Sequence, residues 1–539
     1  MKKLYTLESW ATGHVYFCAG VLLLLLSGTL GILVAVGVID GLIAAVDIFI
    51  AIIGGVFTLY GSFLKNVENK RSNFKESFIY MNKHYPIVAR YAAEIENKRF
   101  KGECDDIVSE YTVCDRKWIP GKPMEFSDIH VRLERRCYDS PDRVTDGTKG
   151  DDPIDTSVAE RITLERGTNT DRKPAHIDML DKQWRALLPY RTKTFAQNVQ
   201  LITGRNVIPY PSLALTAIEV KDDSVEMTVE MGNYDDFYNT CVFLLYELTH
   251  DVFVNGNQKV LVDLKGNGKQ LRYRKKIDTR SFDNRFASIG INTLTILKNV
   301  PVDYLDRDAI KKDKDRDEKD RMFDEGKHVR KDCDKRDYFI MHIRGNDVAE
   351  GPGLYHVVPA GSYQPTEIKE GQKTVYRNMD PASTVIKEFA EEVLKEGGSN
   401  DLVSEGWLNA IREKMVHKLY FLGIALEPVN LKTEMLSVLV IDVEKTNCSE
   451  VNIIESIFHF EEDVEGKIKL MPLEKMYFDQ FSDNLRTAPA GKAILGLFTA
   501  ENRYDLGGCA SLLEFWQKHT VKKGADGSVT IVDDPKKSA

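Results

Sequence analysis

Two long apolar stretches near the N-terminus constrain this chain more than any other feature of its sequence. Residues 16–39 are 24 consecutive residues without a charged side chain. As an α-helix they would extend about 36 Å, more than the ~30 Å hydrocarbon core of a bilayer. The turn pair Asp40-Gly41 separates them from a second apolar stretch, residues 42–64. The pattern predicts a two-helix transmembrane hairpin over residues 1–64. A cleaved signal peptide, the competing interpretation, would have a shorter apolar region and no second stretch so close behind it.

The charges that flank the hairpin predict its orientation. Basic residues before the first stretch and after the second are Lys2, Lys3, Lys65, Lys70, Arg71 and Lys75. Because positively charged flanks stay on the cytoplasmic side of a membrane, both termini and the large part that follows the hairpin are expected in the cytoplasm. The lipid bilayer of an inner or plasma membrane is therefore an expected partner.

Small residues and one acid stand out within the two apolar stretches. The small residues that would let helices pack closely are Gly28, Gly31, Ala35, Ala51, Gly54 and Gly55. They predict a homo-oligomer through the transmembrane helices. Asp47 is the one ionisable residue inside either stretch. It would line a polar pore or an oligomer contact, or it would reach water or a backbone group near the membrane edge; we prefer the second interpretation.

The rest of the chain is long enough for two or three domains with substantial cores. Its composition predicts a juxtamembrane helical stalk (65–135), a middle α+β region (136–281), a C-terminal domain (282–515) and a polar, disordered tail (516–539). Within the middle region, residues 213–218 and 225–231 alternate like paired strands. Residues 234–248 are typical of a helix with one apolar face.

Charge and cysteine content exclude two classes of function. A net charge of -9 and a pI near 5.8 argue against a general nucleic-acid-binding protein, so no nucleic-acid partner is expected. The eight cysteines are scattered, without a C-x-x-C pair, which fits reduced thiols and predicts no zinc site. Residues 303–337 mix acidic and basic side chains in nearly balanced numbers, which predicts a long hairpin extension or a solvated helix.

An acidic helix is predicted between residues 378 and 398. Asp380 is a good N-cap, Pro381 fits the first helical position, and the pair Gly397-Gly398 is a stop signal. One apolar stripe recurs at three- and four-residue spacing, formed by Val385, Ile386, Phe389 and Val393.

Three carboxylates share the opposite surface of this helix, because Glu388, Glu391 and Glu392 stand at i, i+3 and i+4. Such close negative charge is unfavourable unless a cation relieves it. Mg²⁺, with Mn²⁺ as the second candidate, is the ion that carboxylate oxygens prefer. Acidic amphipathic helices also occur as plain solvated surfaces, so the pattern alone leaves both interpretations open.

The motif around these glutamates, K-E-F-A-E-E, resembles the core of the Nudix box, whose family pattern is G-x5-E-x7-R-E-U-x-E-E-x-G-U with U aliphatic. The resemblance implies that Glu388, Glu391 and Glu392 bind metal and act in catalysis. It also implies that Lys387 takes the place of an arginine that orients them.

Two positions depart from the family pattern, and one glycine is displaced. Met379 stands in the place of the earlier glutamate, and Leu394 in the place of the later glycine. The candidate for the first glycine is Gly361, in V-V-P-A-G-S-Y-Q-P, which lies too far upstream unless a loop is inserted. The resemblance then makes Gly361 a substrate-binding candidate.

The order of elements around the motif is typical of the opening of a Nudix domain. Residues 286–297 and 338–344 are interpreted as strands, followed by a Gly/Pro-rich loop, a third strand, a P-x-G segment and the acidic helix. The resemblance covers residues 282–515 and implies an α/β/α sandwich. The expected fold class is thus α/β (α+β): a transmembrane hairpin, a mixed middle region and a Nudix-like sandwich.

Further residues outside the motif are candidates for roles at the same site. Arg344 ends its predicted strand beside the Gly-rich loop, where it would contact a phosphate or form a structural salt bridge. In the Nudix family a glutamate after the box often assists the metal or the general base, and Glu427 and Glu434 are the candidates here. Both are equally interpreted as plain surface acids. Glu247 is interpreted as an ordinary surface or packing residue.

The resemblance implies Mg²⁺-dependent hydrolysis of a nucleoside diphosphate linked to another group, so a nucleotide-derived small molecule is the expected ligand. We adopt this hypothesis first, because all three box glutamates are present. The departures favour a second one, in which the fold senses a nucleotide and alters the packing of the hairpin without hydrolysis. That architecture resembles the membrane effectors of bacterial nucleotide-signalling defence systems. A membrane-tethered scaffold without a small-molecule site is the third alternative.

Overall fold

The computed structural model describes the chain in discontinuous segments. These are residues 21–27, 29, 32, 41–99, 115–120, 123–137, 143–146, 152–156, 162–165, 188–254, 271, 273–282, 285–301, 335–345, 353–370, 373–377, 379–394, 411, 415, 417–444, 446, 466–473, 475–482, 484, 486–497, 519–523 and 529–533. Contacts divide the chain into two compact units. The first comprises residues 1–80, 178–207 and 249–257, and the second comprises residues 81–177, 208–248 and 258–539.

Most of the first unit's described residues belong to one long helix, α1 (Gly41–Lys83), which runs on into the second unit at its last three residues. Its first half is apolar on every side and exposes large side chains: Val46, Ile48, Phe49, Ile52, Val56, Leu59, Tyr60 and Phe63. A helix that is apolar all round needs an apolar environment. Within the described residues, the 34-residue stretch Ile48–Met81 is the one that is long and apolar enough to cross a membrane.

The predicted hairpin is only partly seen. The second apolar stretch is helical as expected, but the helix continues past residue 64 into the predicted stalk because no proline or turn signal interrupts it. Of the first stretch, residues 21–27, 29 and 32 are helical and the others lie outside the described residues. The described residues thus contain one candidate membrane helix rather than two. The side chain of Asp47 also lies outside what the structure describes.

The C-terminal half of α1 is amphipathic and packs on a short helix of the same unit, α3 (Phe195–Thr203). The ring of Phe195 lies 5.7 Å from that of Phe74 and 6.2 Å from that of Phe78. Thr194 and Gln197 form a capping box at the start of α3, and Gly204 ends it with a φ of 76°. A π-helical segment, Thr249–Val254, completes the described part of this unit.

Helix α2 (Tyr85–Arg99) begins the second unit's main body and lies within residues 65–135, where a helical stalk is predicted. Pro86 separates α2 from α1, because proline cannot donate a helical hydrogen bond but fits a first helical turn. The other helices are α4, made of the consecutive segments Tyr234–Phe237, Tyr238–Val242 and Phe243–Leu248, then α5 (Pro381–Glu392), α6 (Lys475–Ser482) and α7 (Pro489–Leu497). The middle segment of α4 is π-helical.

The strands of the second unit follow in chain order: β1 Met124–Glu125, β2 Ile129–Cys137, β3 Arg143–Thr145, β4 Ile154–Asp155, β5 Ile162–Glu165, β6 Pro211–Val220, β7 Val225–Asn233, β8 Ile289–Pro301, β9 Lys335–Arg344, β10 Tyr355–Val357, β11 Ala360–Ser362, β12 Thr366–Glu370, β13 Lys373–Arg377, β14 His417–Leu426, β15 Thr433–Asp442, β16 Gly466–Pro472, β17 His519–Lys523 and β18 Val529–Asp533. The fold class is mixed α+β. The paired strands predicted near residues 213 and 231 are confirmed as β6 and β7, and the helix after them as α4.

One sheet, here the central sheet, has the order β1-β14-β15-β8-β9-β10, with β11 on β8 and β16 on β9. Its core pair, β15 and β8, is parallel over residues 433–442 and 289–298, while the neighbouring pairs are antiparallel. Every residue of β15 is buried. Such complete burial requires packing on both faces of the sheet.

The second sheet joins the two regions that the sequence separates at residue 282. Its order is β12-β13-β5-β3-β2-β7-β6, with β4 on β2. Val375 of β13 pairs with Thr163 of β5, so strands from both sides of that boundary share hydrogen bonds. Contacts place residues 136–177, 208–248 and 258–281 of the middle region in the same compact unit as residues 282–515, whereas residues 178–207 and 249–257 belong to the first unit.

The two faces of the central sheet carry different helices. On what we name the front face, Ile289, Ile291 and Met435 belong to one core together with the apolar stripe of α5. On the back face, the alternate residues Leu294, Leu436 and Val438 belong to a second core with α6 and α7. Because side chains alternate along a strand, each residue of β8 and β15 is assigned to one face.

Two further predictions concern the C-terminal tail and the charged insertion. The tail predicted to be disordered contains an antiparallel hairpin in which β17 pairs with β18. Alternating Val and Thr in H-T-V-K-K and V-T-I-V-D favours extended pairing despite the polar flanks. Residues 303–334 of the charged insertion lie outside the described residues, and its last three residues begin β9.

Candidate functional site

The acidic helix begins as its sequence predicts. Ser383 donates its backbone N–H to Asp380 Oδ1 at 2.9 Å, and Pro381 occupies the first turn. The four residues of the apolar stripe are buried in the front-face core. The helix ends at Glu392, where Val393 still donates its N–H to the Phe389 carbonyl at 2.9 Å. The predicted stop at residues 397–398 lies outside the described residues.

Glu388 lies directly against Gly361. A Cβ atom added at Gly361 would overlap the Glu388 carboxylate, so a glycine is what admits the acid to this position. Gly361 pairs with Ile291 in the central sheet, which places the contact on the front face. The structure thus brings together two candidates that the sequence separates by 26 intervening residues.

Glu392 contacts the same short strand from the end of the helix. Its Oε2 accepts the backbone N–H of Ala360 at 2.8 Å. Ala360 precedes Gly361, so two of the three predicted metal-binding glutamates converge on consecutive residues of β11. An N–H donated to a carboxylate is a charge-assisted hydrogen bond and fixes its orientation.

Glu391 points elsewhere. Its Oε1 lies 3.6 Å from Nζ of Lys387, one helical turn earlier, and the two side chains are 31% and 23% exposed. The contact is consistent with the predicted orienting role of Lys387, which stays a prediction. Within the described residues, no group of three or more His, Cys, Asp or Glu side chains converges as a metal ion requires.

Arg344 and two histidines face the same side of the sheet as α5. In β9, Tyr338 and Ile340 belong to the front-face core, so by alternation His342 and Arg344 share that face. His356 of β10 pairs with His342 and therefore faces the same way. The Arg344 Nε is buried and has no hydrogen-bond partner in the described part of the chain.

The histidine pair was not predicted, although the alternation in Y-F-I-M-H-I-R would have placed His342 beside Arg344. His356 is buried, and this burial, followed by the charge of Arg344, lowers the pKa of its imidazole well below the ordinary value of 6.5. The imidazole is therefore neutral in the folded protein at neutral pH. Its Nδ1 lies 2.9 Å from the Val357 carbonyl, which accepts a hydrogen bond in the tautomer protonated there.

Glu434 lies on the back face, away from the three helix glutamates. It pairs with Gly290 in the parallel register, and a Cβ at Gly290 would overlap its carboxylate. Asn292 donates to Glu434 Oε2 at 2.5 Å, and the Nζ of Lys432 lies 3.6 Å from Oε1. Because Gly290 pairs with Ser362 and Ile291 pairs with Gly361, the two glycines face opposite sides. The expectation that Glu434 joins the metal site is not supported by this geometry.

Glu427 contacts helix α2. It accepts a hydrogen bond from the Tyr85 hydroxyl of α2 at 2.7 Å. Glu427 and Glu434 are 4% and 5% exposed, so the alternative that they are plain surface acids is wrong for both. Residues distant in sequence enclose them: Tyr85 lies against Glu427, and Gly290 and Asn292 lie against Glu434.

The described residues fit a divalent cation in part. The glycine at 361 leaves a cradle that the Glu388 carboxylate fills, and Glu392 is oriented on the same backbone segment. Glu391 would supply the third carboxylate by exchanging Lys387 for the ion. Hard oxygen ligands of this kind suit Mg²⁺ or Mn²⁺.

Comparisons with known proteins add no relative. No protein-family model matches the chain, and no curated protein is similar enough in sequence to be matched to it. The Nudix resemblance therefore rests on the residues quoted above and on their contacts.

Proposed function

We propose that this protein is a membrane-anchored, Nudix-type hydrolase that cleaves a nucleoside diphosphate linked to another group. The observation that supports it is the convergence of Glu388 and Glu392 on Ala360 and Gly361. These are the helix acids and the glycine segment that the resemblance pairs. Helix α5 on the front face, with α6 and α7 on the back face, supports an α/β/α sandwich for this region.

Each residue of the site has a role in this proposal. Glu388, Glu391 and Glu392 would hold the cation, which when bound would neutralise charge on the diphosphate. One of these glutamates or a nearby acid would take a proton from the attacking water, and Glu391, whose side chain is 31% exposed, is a candidate that water can reach. Arg344, on the same face as the acids, would bind a phosphate oxygen through its planar guanidinium.

The membrane part of the proposal is a two-span anchor with both termini in the cytoplasm. The support is one helix that is long and apolar enough to cross a bilayer, together with the basic flanks of the N-terminal stretches. Protease added to intact right-side-out cells should leave residues after 64 uncut. Efficient cleavage within residues 140–150 would contradict the orientation.

The enzymatic proposal is tested with the full chain in detergent micelles and a panel of nucleotides and nucleoside diphosphate derivatives. Cleavage and binding are followed with Mg²⁺, with Mn²⁺ and with chelator. Glu388→Gln and Glu391→Gln should lower turnover about 10²-fold or more. Glu219→Gln, at an exposed acid in β6, is the matched control and should leave turnover unchanged. Equal turnover in all three variants would contradict the proposal.

A second function, nucleotide sensing without hydrolysis, is favoured by one specific observation. Glu391 pairs with Lys387, so one of the three acids already has a cation. A sensor would bind a member of the panel tightly with or without divalent metal, and would cleave none of them. The same experiment therefore separates the two functions.

A further inference from the structure

The turn between β14 and β15, residues 427–432, is held in one conformation by its own hydrogen bonds. Leu431 donates its N–H to the Glu427 carbonyl at 2.7 Å, and Glu427 donates to the Lys432 carbonyl at 2.9 Å. Leu431 is fully buried and has a φ of 59°, a left-handed conformation that costs a non-glycine residue energy. Such a conformation persists only where the surroundings enforce it.

Two buried arginines supply that enforcement. Arg274 donates Nη1 to the Val429 carbonyl at 2.8 Å and Nη2 to the Pro428 carbonyl. Arg285 donates Nε to the Leu431 carbonyl at 3.1 Å. Both arginines are 1% exposed. Three carbonyl groups of this one turn, those of Pro428, Val429 and Leu431, are thereby bound by guanidinium groups that water does not reach.

Helix α2 supplies the countercharge and a second contact. Arg274 Nε donates to Glu96 Oε1 at 2.8 Å, in a pair that is almost fully buried. Glu247, interpreted from sequence as an ordinary residue, accepts the backbone N–H groups of Tyr273 and Arg274 at 2.9 and 3.0 Å. At the other end of α2, the Tyr85 hydroxyl binds Glu427. Helix α2 thus contacts the turn directly at Glu427 and through Arg274 at Pro428 and Val429.

This arrangement does more than fill space. Replacing a buried ion pair by apolar residues is often neutral or stabilising, so burial of Glu96 with Arg274 is a poor way to gain stability alone. What apolar residues could not do is satisfy the carbonyl groups of the turn. Helix α2 holds the guanidinium group of Arg274 near these carbonyls through Glu96, while Glu247 of α4 holds the backbone of Arg274.

We propose that helix α2 controls the conformation of the 427–432 turn, which contains Lys432, and through it the start of β15, which contains Glu434. Tyr85 begins α2 two residues after α1 ends at Lys83, so α2 directly continues the chain of the candidate membrane helix. A displacement of α2 removes the Tyr85 and Glu96 contacts together, and the strained Leu431 conformation is then no longer enforced. The proposal is independent of metal binding and of hydrolysis.

Hydrogen exchange of the full chain in detergent micelles, followed by mass spectrometry, tests this control. The readout is a peptide covering residues 427–434, whose amides at Glu427, Leu431 and Lys432 are hydrogen-bonded. Glu96→Gln keeps the size of the side chain but removes the charge that holds Arg274. Exchange in the readout peptide should become about tenfold faster, since bonds to charged groups are the stronger ones. Tyr85→Phe should accelerate it by a smaller factor.

Matched controls separate control of the turn from loss of the fold. Glu94→Gln makes the same change on α2 at an exposed acid that pairs with Arg90, and should leave the readout peptide unchanged. The β6–β7 hairpin, residues 211–233, should exchange at the wild-type rate in every variant. Equal rates in Glu96→Gln, Tyr85→Phe and Glu94→Gln would overturn the proposal. Uniform acceleration through the whole chain would overturn it as well, because the contacts would then serve only global stability.

Discussion

Two lysine–glutamate pairs in this protein have the same separation and different surroundings. Lys387 and Glu391 lie 3.6 Å apart on the outer side of α5, with 23% and 31% of their side chains exposed. Lys432 and Glu434 also lie 3.6 Å apart, but with 9% and 6% exposed on the back face of the central sheet. Distance alone would rank the pairs equally. Burial decides their energetics, because water screens the first pair and hardly reaches the second.

The same contrast appears in how each acid is positioned. Glu388, the residue after Lys387, fills the space left by Gly361 and is only partly buried. Glu434 fills the space left by Gly290, with Asn292 and Lys432 around it. One glycine thus admits an acid at an accessible site, and the other admits an acid into a core. Under the proposed function the Lys387–Glu391 pair would act in the reaction, whereas the Lys432–Glu434 pair is enclosed in the core.

The largest expected effect is on the buried pair. Glu434→Gln keeps the shape of the side chain but leaves Lys432 without its carboxylate, and removing one partner of a buried ion pair costs about 3 kcal/mol or more. Glu391→Gln, the matched change in the exposed pair, should cost no more than about 0.5 kcal/mol. Chemical denaturation of the full chain in micelles measures both. Equal losses would show that burial does not distinguish the pairs.

The two glycines give the next largest contrast. Gly290→Ala should destabilise the fold by about 1–3 kcal/mol, because the overlapping Glu434 is enclosed and cannot move aside. Gly361→Ala should cost less than about 1 kcal/mol, since the partly exposed Glu388 can rotate away. Turnover should respond in the opposite order, with a greater loss in Gly361→Ala. Thermal unfolding measures the loss of stability in each variant, and the cleavage assay measures the loss of turnover. The prediction would be contradicted if the same variant showed the greater loss in both.

What the sequence predicts and what it misses follow from the range of the interactions. Helix α5 was predicted from its N-cap to its apolar stripe, because Asp380, Pro381 and Val385 act within a few residues of each other. The sequence alone groups Glu434 with the helix acids. The face of Glu434 is fixed by its pairing with Gly290, 144 positions away, and no local pattern shows that pairing. Likewise no local pattern announces that β13 pairs with β5.

The length of α1 illustrates a different limit. The sequence marks where apolar residues end near position 64, whereas helix continuation depends only on the absence of a breaker before Pro86.

The buried network around Arg274 is invisible to sequence patterns for a third reason. Charged residues such as Glu96 and Glu247 are usually exposed, and only contacts distant in sequence show that they are not.

The stability of the folded protein should depend on pH through His356, which lies on the front face. Burial keeps His356 neutral in the folded protein, whereas the unfolded chain takes up a proton below about pH 6.5. A depressed pKa in a base gives stability that is complete above that pH and is lost as the pH falls, by up to about 1.4 kcal/mol per pH unit. His356→Gln should flatten this loss between pH 6.5 and 5.5 in denaturation experiments. An unchanged slope would mean that other groups cause it.

The smallest expected change in stability comes from Lys387→Arg, and it separates hydrolase from sensor. Lysine offers Glu391 a point charge at 3.6 Å, whereas arginine offers a planar fork that orients a carboxylate with two hydrogen bonds. On this exposed surface, stability should change by less than about 0.5 kcal/mol.

Turnover is where Lys387→Arg should be visible. In a hydrolase, better orientation of Glu391 is worth about 1 kcal/mol, or roughly fivefold in turnover. In a sensor, ligand affinity should stay unchanged and no panel member should be cleaved. Lys432→Arg, the same substitution in the buried pair, is the control: a larger head must enter a site that is only 7% exposed, so it should destabilise by about 1–3 kcal/mol. Faster cleavage by Lys387→Arg, abolished when Glu391→Gln is added, would establish that this exposed pair acts on the reaction. Wild-type rates in Lys387→Arg would reduce Lys387 to an ordinary surface partner of Glu391.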